Sequence, residues 1–216
     1  MRKFLVLPGL ALVAALALLA TSHGDEPASA KSFAALATGG LDVDYTPLAT
    51  PAAAVAAGDL IVEGTLTSVT DGVDLQFANP AYTERWKDSF VTLVVTVDRV
   101  VEGDPGQLHN GKVFVQILKN KAVTPEQLSG VNANPRVVAV LDNLSDWNPG
   151  GGATVARPGT VPAAAPLFAA HVDGLWLQGT ADVVMYGLGA SPQDLGPAWG
   201  GADTVAEYAA KVWQAL

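Results

Sequence analysis

The stretch that decides the fold is FVTLVVTVDRVV, residues 90–101. Apolar and polar side chains alternate along it, which is the period of a strand with one buried face. The apolar face carries Val91, Leu93, Val95 and Val97, and the opposite face carries Thr92, Thr96 and Asp98. Because β-branched residues suit a pleated, half-buried surface, this stretch predicts a long strand.

Shorter strand patterns lie on both sides of this stretch. LIVEGTLTSV at 60–69 precedes it, and KVFVQIL at 112–118 and RVVAVL at 136–141 follow it. The last of these is apolar on both faces, which predicts a central strand. Residues 175–177 and 182–186 predict a late hairpin. Short strands separated by turns, without regular strand–helix alternation, predict a mainly β fold built on a small closed or partly closed barrel.

The C-terminal residues predict a helix over 204–214. Thr204 and Glu207 have the S/T-x-x-E spacing of a capping box. An apolar stripe follows at helical spacing, made of Val205, Tyr208, Ala209, Val212 and Trp213. We expect this stripe to dock on the barrel, with Trp213 in the core. The Gly/Pro-rich segment 148–166 predicts a long loop within the same domain.

The N-terminal residues 1–30 have the pattern of an export signal. A basic start is followed by an apolar run and by Ala28-Ser29-Ala30, a small-x-small site that predicts cleavage before Lys31. A cut around Ala20 to Ser22 is an alternative, and so is an uncleaved segment that tethers the chain to a membrane. The predicted organisation is a signal helix at 1–30, a poorly ordered lead-in at 31–51 and one barrel domain at 52–216.

Composition narrows the function classes. The chain has 216 residues, a net charge of -9 and no cysteine. Two basic and two acidic residues fall in 1–30, so the charge of -9 belongs to the predicted exported part. An acidic chain without a basic cluster argues against nucleic acid as a partner. Without cysteine there are no disulfides, thiolate metal sites, cysteine nucleophiles or lipid attachment through a cysteine.

The segments AAGDLIVEGTLTSV (56–69), VTLVVTVDRVVEGDPG (91–106), KVFVQIL (112–118) and RVVAVLDNL (136–144) resemble a pattern of exported bacterial proteins, mainly actinobacterial or firmicute. GLWLQG at 174–179 is similar to a late strand of such actinobacterial proteins. The resemblance implies an OB-like barrel similar to that of metalloproteinase-inhibitor and netrin modules. The animal inhibitors place an N-terminal cysteine on the target's zinc. Since this chain has no cysteine, the resemblance transfers no functional residue.

The search for catalytic chemistry gives one weak candidate. His171 and Asp173 lie two residues apart, and a carboxylate beside an imidazole would form an acid–base pair. His109 and His171 do not have the spacing of a metal motif. The sequence contains no G-x-S-x-G motif. It therefore predicts no catalytic, cofactor-binding or metal-ligating residue, and no cofactor.

Two tryptophans are the candidate binding residues. Trp86 and Trp147 fall in predicted loops beside polar residues, where an exposed ring can stack on a sugar or hold a partner, or simply cover the barrel mouth. The leading hypothesis is a non-enzymatic, secreted binding module for a protein or glycan of the cell envelope or medium, not attached to a membrane after signal cleavage. One alternative is a secreted hydrolase with a dispersed carboxylate/histidine site. Another is a peptidase inhibitor by fold analogy alone.

Overall fold

The structure, a computed structural model, describes residues 28–39, 41 and 44–216. The predicted signal helix lies almost entirely outside the described residues. The five helices of this part are α1 (Ala30–Thr38), α2 (Pro51–Ala57), α3 (Pro80–Trp86), α4 (Pro125–Val131) and α5 (Val205–Gln214). Its eight strands are β1 (Leu60–Asp71), β2 (Asp74–Gln76), β3 (Phe90–Gly103), β4 (Lys112–Leu118), β5 (Arg136–Asn143), β6 (Thr154–Ala156), β7 (Leu167–Gln178) and β8 (Tyr186–Gly187).

Five strands close into a barrel. The sheet order is β4-β3-β1-β5-β7-β8, and β4 also pairs with β7 in parallel, which joins the two sides of the sheet. The other barrel pairings are antiparallel. This is a five-stranded barrel compatible with an OB-like fold, and it confirms the predicted fold class. Among the described residues, no helix has the length and apolar character needed to cross a membrane.

The first strand, β1, pairs with two neighbouring strands. β1 pairs with β5 over its first half and with β3 along its whole length, with register shifts at three places. Bulges of this kind increase local twist and let a sheet curl into a barrel. Gly64 lies at one of these shifts, where a Cβ would be 2.1 Å from the carbonyl oxygen of Thr96. A side chain at this position would force β1 and β3 apart, so we attribute the glycine to close backbone approach.

The barrel interior confirms the predicted strand faces. Val91, Leu93 and Val95 of β3 lie in the main core with Leu60 and Leu66 of β1. β5 lies between β1 and β7 and is buried on both faces, as expected for a central strand. Its odd-numbered valine and leucine side chains face the barrel interior, whereas its even-numbered valines face a second core described below.

The segment predicted to be a poorly ordered lead-in, 31–51, contains a packed helix instead. α1 begins one residue before it, with Ser29 as N-cap, and places Ala30, Phe33 and Ala37 in the main barrel core. The backbone carbonyl of Ala37 accepts a hydrogen bond from the N–H of Asn120 at 2.9 Å. α1 therefore covers part of the barrel core. The local sequence did not reveal this because the packing partners lie far along the chain.

A second core joins the C-terminal helix to the outside of the barrel. Val205, Tyr208, Ala209 and Val212 of α5 pack against Ile61, Val138, Val140, Trp176 and Trp199, among others. The predicted capping box of Thr204 and Glu207 is present. Trp213, however, is 53% exposed, so its predicted place in the core is wrong. At 3.6 residues per turn it lies roughly 80° around the helix from Val205, at the edge of the buried stripe.

The predicted loop at 148–166 contains a short strand. β6 pairs antiparallel with β2, so residues 154–156 are tied to the segment that follows β1. The predicted late hairpin is present in part. β8 pairs with β7 through Tyr186 opposite Leu177, but β7 begins at Leu167, well before the predicted strand.

Candidate functional site

Trp86 and Trp147 are brought together by one phenylalanine. The ring of Trp86 stacks on Phe90, with centroids 6.2 Å apart and an interplanar angle of 18°. Trp147 meets the same ring edge-on, with centroids 6.4 Å apart at 71°. Both tryptophans remain partly exposed. Phe90 and Trp147 also pack against a third apolar cluster that includes Val94 and Phe114 of the barrel wall, which fixes their positions.

Two more aromatic side chains extend this patch. Phe77 and Tyr82 pack edge-to-face with centroids 6.0 Å apart. Phe77 also lies next to the loop after Trp147, since a Cβ on Gly151 would be 3.6 Å from its ring. We call these five side chains, Phe77, Tyr82, Trp86, Phe90 and Trp147, the aromatic surface. None of the five is fully buried.

Helix α3 carries Tyr82 and Trp86 on the outside of the barrel. Asn79 caps it through a side-chain bond to the N–H of Ala81, and Pro80 begins it, as is favoured at a helix start. No residue of α3 is buried. The ammonium of Lys121 donates hydrogen bonds to the carbonyls of Glu84 and Arg85 at 3.0 and 2.9 Å. α3 therefore depends on caps and surface contacts for its position.

The loop after Trp147 has a defined conformation. Gly150, Gly151 and Gly152 all have positive φ, between 60° and 75°. The side chain of Asn148 accepts a hydrogen bond from the N–H of Gly150 at 2.9 Å. Left-handed backbone is costly for residues with a side chain, so three glycines in a row are required by this conformation. The run turns the chain so that β6 can return to β2.

Trp147 lines two depressions of the surface. One has a volume of about 420 Å³ and is lined by Ser145, Val155 and Arg157, among others. The second, of about 560 Å³, is lined by Trp147 and residues 148–155. Arg157 is held in the lining of the first, since its guanidinium donates to the carbonyl of Ala165 at 2.7 Å. Trp147 thus lines two depressions whose walls include hydroxyl, amide and guanidinium groups.

The predicted acid–base pair is arranged differently. His171 and Asp173 lie within β7, where residues 171–174 form an irregularity opposite Val140, between Ala170 and Leu175. His171 Nε2 is 3.1 Å from Asp142 Oδ1 on the neighbouring strand. No hydrogen bond joins His171 to Asp173 in the described part of the chain. The irregularity breaks the two-residue period that would have put both side chains on one face.

Asp173 instead lies in the second core, only 4% exposed. Its Oδ2 accepts a hydrogen bond from the N–H of Leu48 at 2.7 Å, while Oδ1 has no partner among the described residues. Its backbone carbonyl accepts bonds from Trp176 Nε1 and the Tyr208 hydroxyl. Burial raises the pKa of the Asp173 carboxyl, and the N–H of Leu48, its own backbone N–H and the charge of His171 oppose this only in part. Burial also raises the pKa of Tyr208, reinforced by the charge of Asp173.

The raised pKa of Asp173 predicts a pH-dependent effect of Asp173→Asn on stability. The folded chain keeps a proton that the unfolded chain releases near pH 3.9. The contribution of this group to stability therefore falls as the pH rises from the pKa of the unfolded chain through the raised pKa of the folded chain. Below both pKa values the contribution does not change with pH. We expect Asp173→Asn to gain stability relative to the wild type as pH rises across this window. Urea unfolding from pH 4 to pH 8 measures the difference.

The exposed Asp98→Asn is the control for this measurement, since it removes the same charge from the surface of β3. Its stability difference from the wild type is expected to stay small across the range. A constant difference between wild type and Asp173→Asn at all pH values would contradict the assignment of a raised pKa to Asp173.

Within residues 28–39, 41 and 44–216, no group of three or more histidine, aspartate or glutamate side chains is placed to hold one metal ion. The ring of His171 is hydrogen-bonded to the carboxylate of Asp142, and among the described residues no hydroxyl group is hydrogen-bonded to this ring.

Comparison with known proteins finds no matching family model, no matching curated protein and no matching solved structure.

Proposed function

We propose that this chain is a non-catalytic binding module that acts outside the cytoplasm and holds a neutral glycan on its aromatic surface. The observation that carries the proposal is the convergence of Trp86 and Trp147 on Phe90, although the two tryptophans are 61 positions apart in sequence. Fixed rings of this kind offer apolar faces without the cost of ordering a flexible side chain.

A glycan fits the surroundings of these rings. A sugar presents an apolar ring face and a rim of hydroxyls, and Trp147 lines two depressions together with Ser145, Asn148 and Arg157. Apolar contact combined with a few placed polar groups is the usual composition of a small-ligand site. A net charge of -9 disfavours an anionic polymer, so the proposed glycan is neutral.

The export part of the proposal rests on the sequence pattern of residues 1–30. The resemblance to exported bacterial proteins agrees with it. Compatibility with an OB-like barrel carries no inhibitor function by itself, because function depends on the site and not on the fold.

Titration with neutral oligosaccharides tests the proposal. Cellohexaose, xylohexaose and hexa-N-acetylchitohexaose, followed by calorimetry, are expected to include a ligand with Kd below about 1 mM, or about -4 kcal/mol. Trp147→Ala and Trp86→Ala are each expected to weaken that binding at least about tenfold, since aromatic anchors dominate such interfaces. Trp213→Ala is the matched control, because Trp213 is an exposed tryptophan outside the aromatic surface.

Absence of any sub-millimolar neutral ligand would overturn the glycan proposal. Equal binding by wild type and Trp147→Ala would overturn the assignment of the site. Capture of an envelope protein that requires both tryptophans, without any glycan binding, would replace the glycan by a protein partner.

A further inference from the structure

A second cavity lies at the seam of the barrel, where β4 meets β7. The parallel pairing that closes the barrel covers only Phe114–Gln116 and Leu167–Ala169. Beyond it a cavity of about 470 Å³ opens between the two strands, which is within the range of small-molecule sites. Thr38 at the end of α1 and Tyr45 also line it. We call it the seam cavity.

The walls of the seam cavity are mostly apolar and reach the barrel core. Ile117 and Leu175 belong to the main core, and Leu188 packs against it. The remaining apolar lining includes Leu41, Phe90, Leu118, Ala169, Ala170 and Val172. A tail that enters here would be removed from water along its length, which is worth about 0.8 kcal/mol for each buried CH₂.

The polar lining contains one carboxylate. It comprises Thr38, Tyr45, Gln116, His171 and Asp194, and no lysine or arginine is among the described residues that form it. The pKa of Tyr45 is raised by burial and by the charges of Asp173 and Asp194, so its hydroxyl lies in a negative field. His171 is itself next to Asp142. A carboxylate ligand would be repelled here, whereas a cation would be attracted.

We infer that the seam cavity binds a small amphiphile whose apolar tail lies against Ile117 and Leu175 and whose amine head is held near Asp194 and Tyr45. This ligand class follows from a mostly apolar cavity whose described lining has one carboxylate and no lysine or arginine. The seam cavity shares Phe90 with the aromatic surface, but Trp86 and Trp147 do not line it, so the inference does not depend on glycan binding.

Three probes of equal chain length separate the contribution of the apolar tail to binding from that of the head group. Octylamine, 1-octanol and octanoate are titrated against the full chain by calorimetry at low salt. We expect octylamine to bind most tightly and octanoate at least about fivefold more weakly, because the carboxylate of Asp194 distinguishes the heads. Tighter or equal binding of octanoate would overturn the inference.

Two variants locate the site. Asp194→Asn keeps the side-chain oxygen that accepts from the N–H of Ser191, and is expected to weaken octylamine binding about threefold to fivefold while leaving 1-octanol within twofold. Asp98→Asn, which removes the same charge from an exposed position on β3, is the control. Ala170→Phe, which fills the seam cavity, is expected to abolish binding of all three probes. Trp147→Ala is expected to bind them as the wild type does.

If Asp98→Asn weakens octylamine binding as much as Asp194→Asn does, the effect is one of overall charge and the head-group site is wrong. If folded Ala170→Phe binds the probes unchanged, the cavity is wrong. Should Ala170→Phe fail to fold, the comparison of Asp194→Asn with Asp98→Asn still decides the inference.

Discussion

Trp199→Ala is expected to lower the free energy of unfolding by about 3–5 kcal/mol, the cost of truncating a fully buried tryptophan. Trp199 is buried and stacks on Tyr208 of α5, with ring centroids 4.1 Å apart at 17°. Its Nε1–H donates to the carbonyl of Leu48 at 2.7 Å. The substitution leaves a cavity in the second core, removes the stack and deprives a buried carbonyl of its donor. Urea unfolding followed by far-UV circular dichroism measures the loss.

Trp213→Ala is the matched control, since it removes the same side chain from the exposed edge of α5. The guanidinium of Arg99 lies 5.3 Å from the Trp213 ring centroid. An exposed contact of this kind contributes about 0.5–1 kcal/mol. Arg99 is also ion-paired with Glu63, which holds it beside the helix. Equal losses for the two variants would show that α5 docks through Trp213, as its sequence spacing alone predicts, and would contradict the packing described above.

The barrel could be predicted from sequence because β1 and β3 carry a two-residue period and β5 is a short apolar run. All five barrel strands were located at least in part, and β1, β3, β4 and β5 nearly to their ends. β7 was found only from Leu175, because residues 167–174 include the irregularity around His171 and Asp173 and lose the alternation there. The capping box of α5 was also predicted, because its signal lies within four residues.

Only two of the five residues of the aromatic surface were predicted from the sequence. Trp86 and Trp147 stood out by residue type, but their proximity follows from the contacts that both make with Phe90, which the sequence pattern did not reveal. Phe77, Tyr82 and Phe90 were missed as members. Asn79-Pro80 is a helix-start signal that could have located α3 and, with it, Tyr82. The α5 side of the second core was predicted, since its apolar stripe was expected to dock on the barrel. The contribution of Leu48, Asp173 and Trp199 was missed because these residues meet only in the folded chain.

Phe33→Ala is expected to lower the free energy of unfolding by about 3–5 kcal/mol, although Phe33 lies in a segment that local sequence predicts to be poorly ordered. The side chain is fully buried in the main barrel core with Ala30 and Ala37. Lys31→Ala, on the exposed side of the same helix, is the control and is expected to change stability by about 0.5 kcal/mol or less. Chemical unfolding of both variants gives the comparison. Two unchanged free energies would mean that α1 does not pack on the barrel.

The packing of α1 also bears on where an export signal would be cut. The side-chain oxygen of Ser29 accepts a hydrogen bond from the N–H of Ser32 at 3.0 Å and caps the helix, and Ala30 is buried. A chain that starts at Lys31 lacks both Ser29 and Ala30, and loss of an N-cap such as Ser29 costs about 1 kcal/mol. A chain that starts at Thr21 keeps both Ser29 and Ala30.

We therefore expect the chain that starts at Thr21 to unfold at a higher urea concentration than the chain that starts at Lys31. If the chain is exported, we expect signal cleavage upstream of Ser29, around Ala20 to Ser22, and the mass of the mature chain tests this. Equal stability of the two chains would remove this reason to prefer the upstream cut.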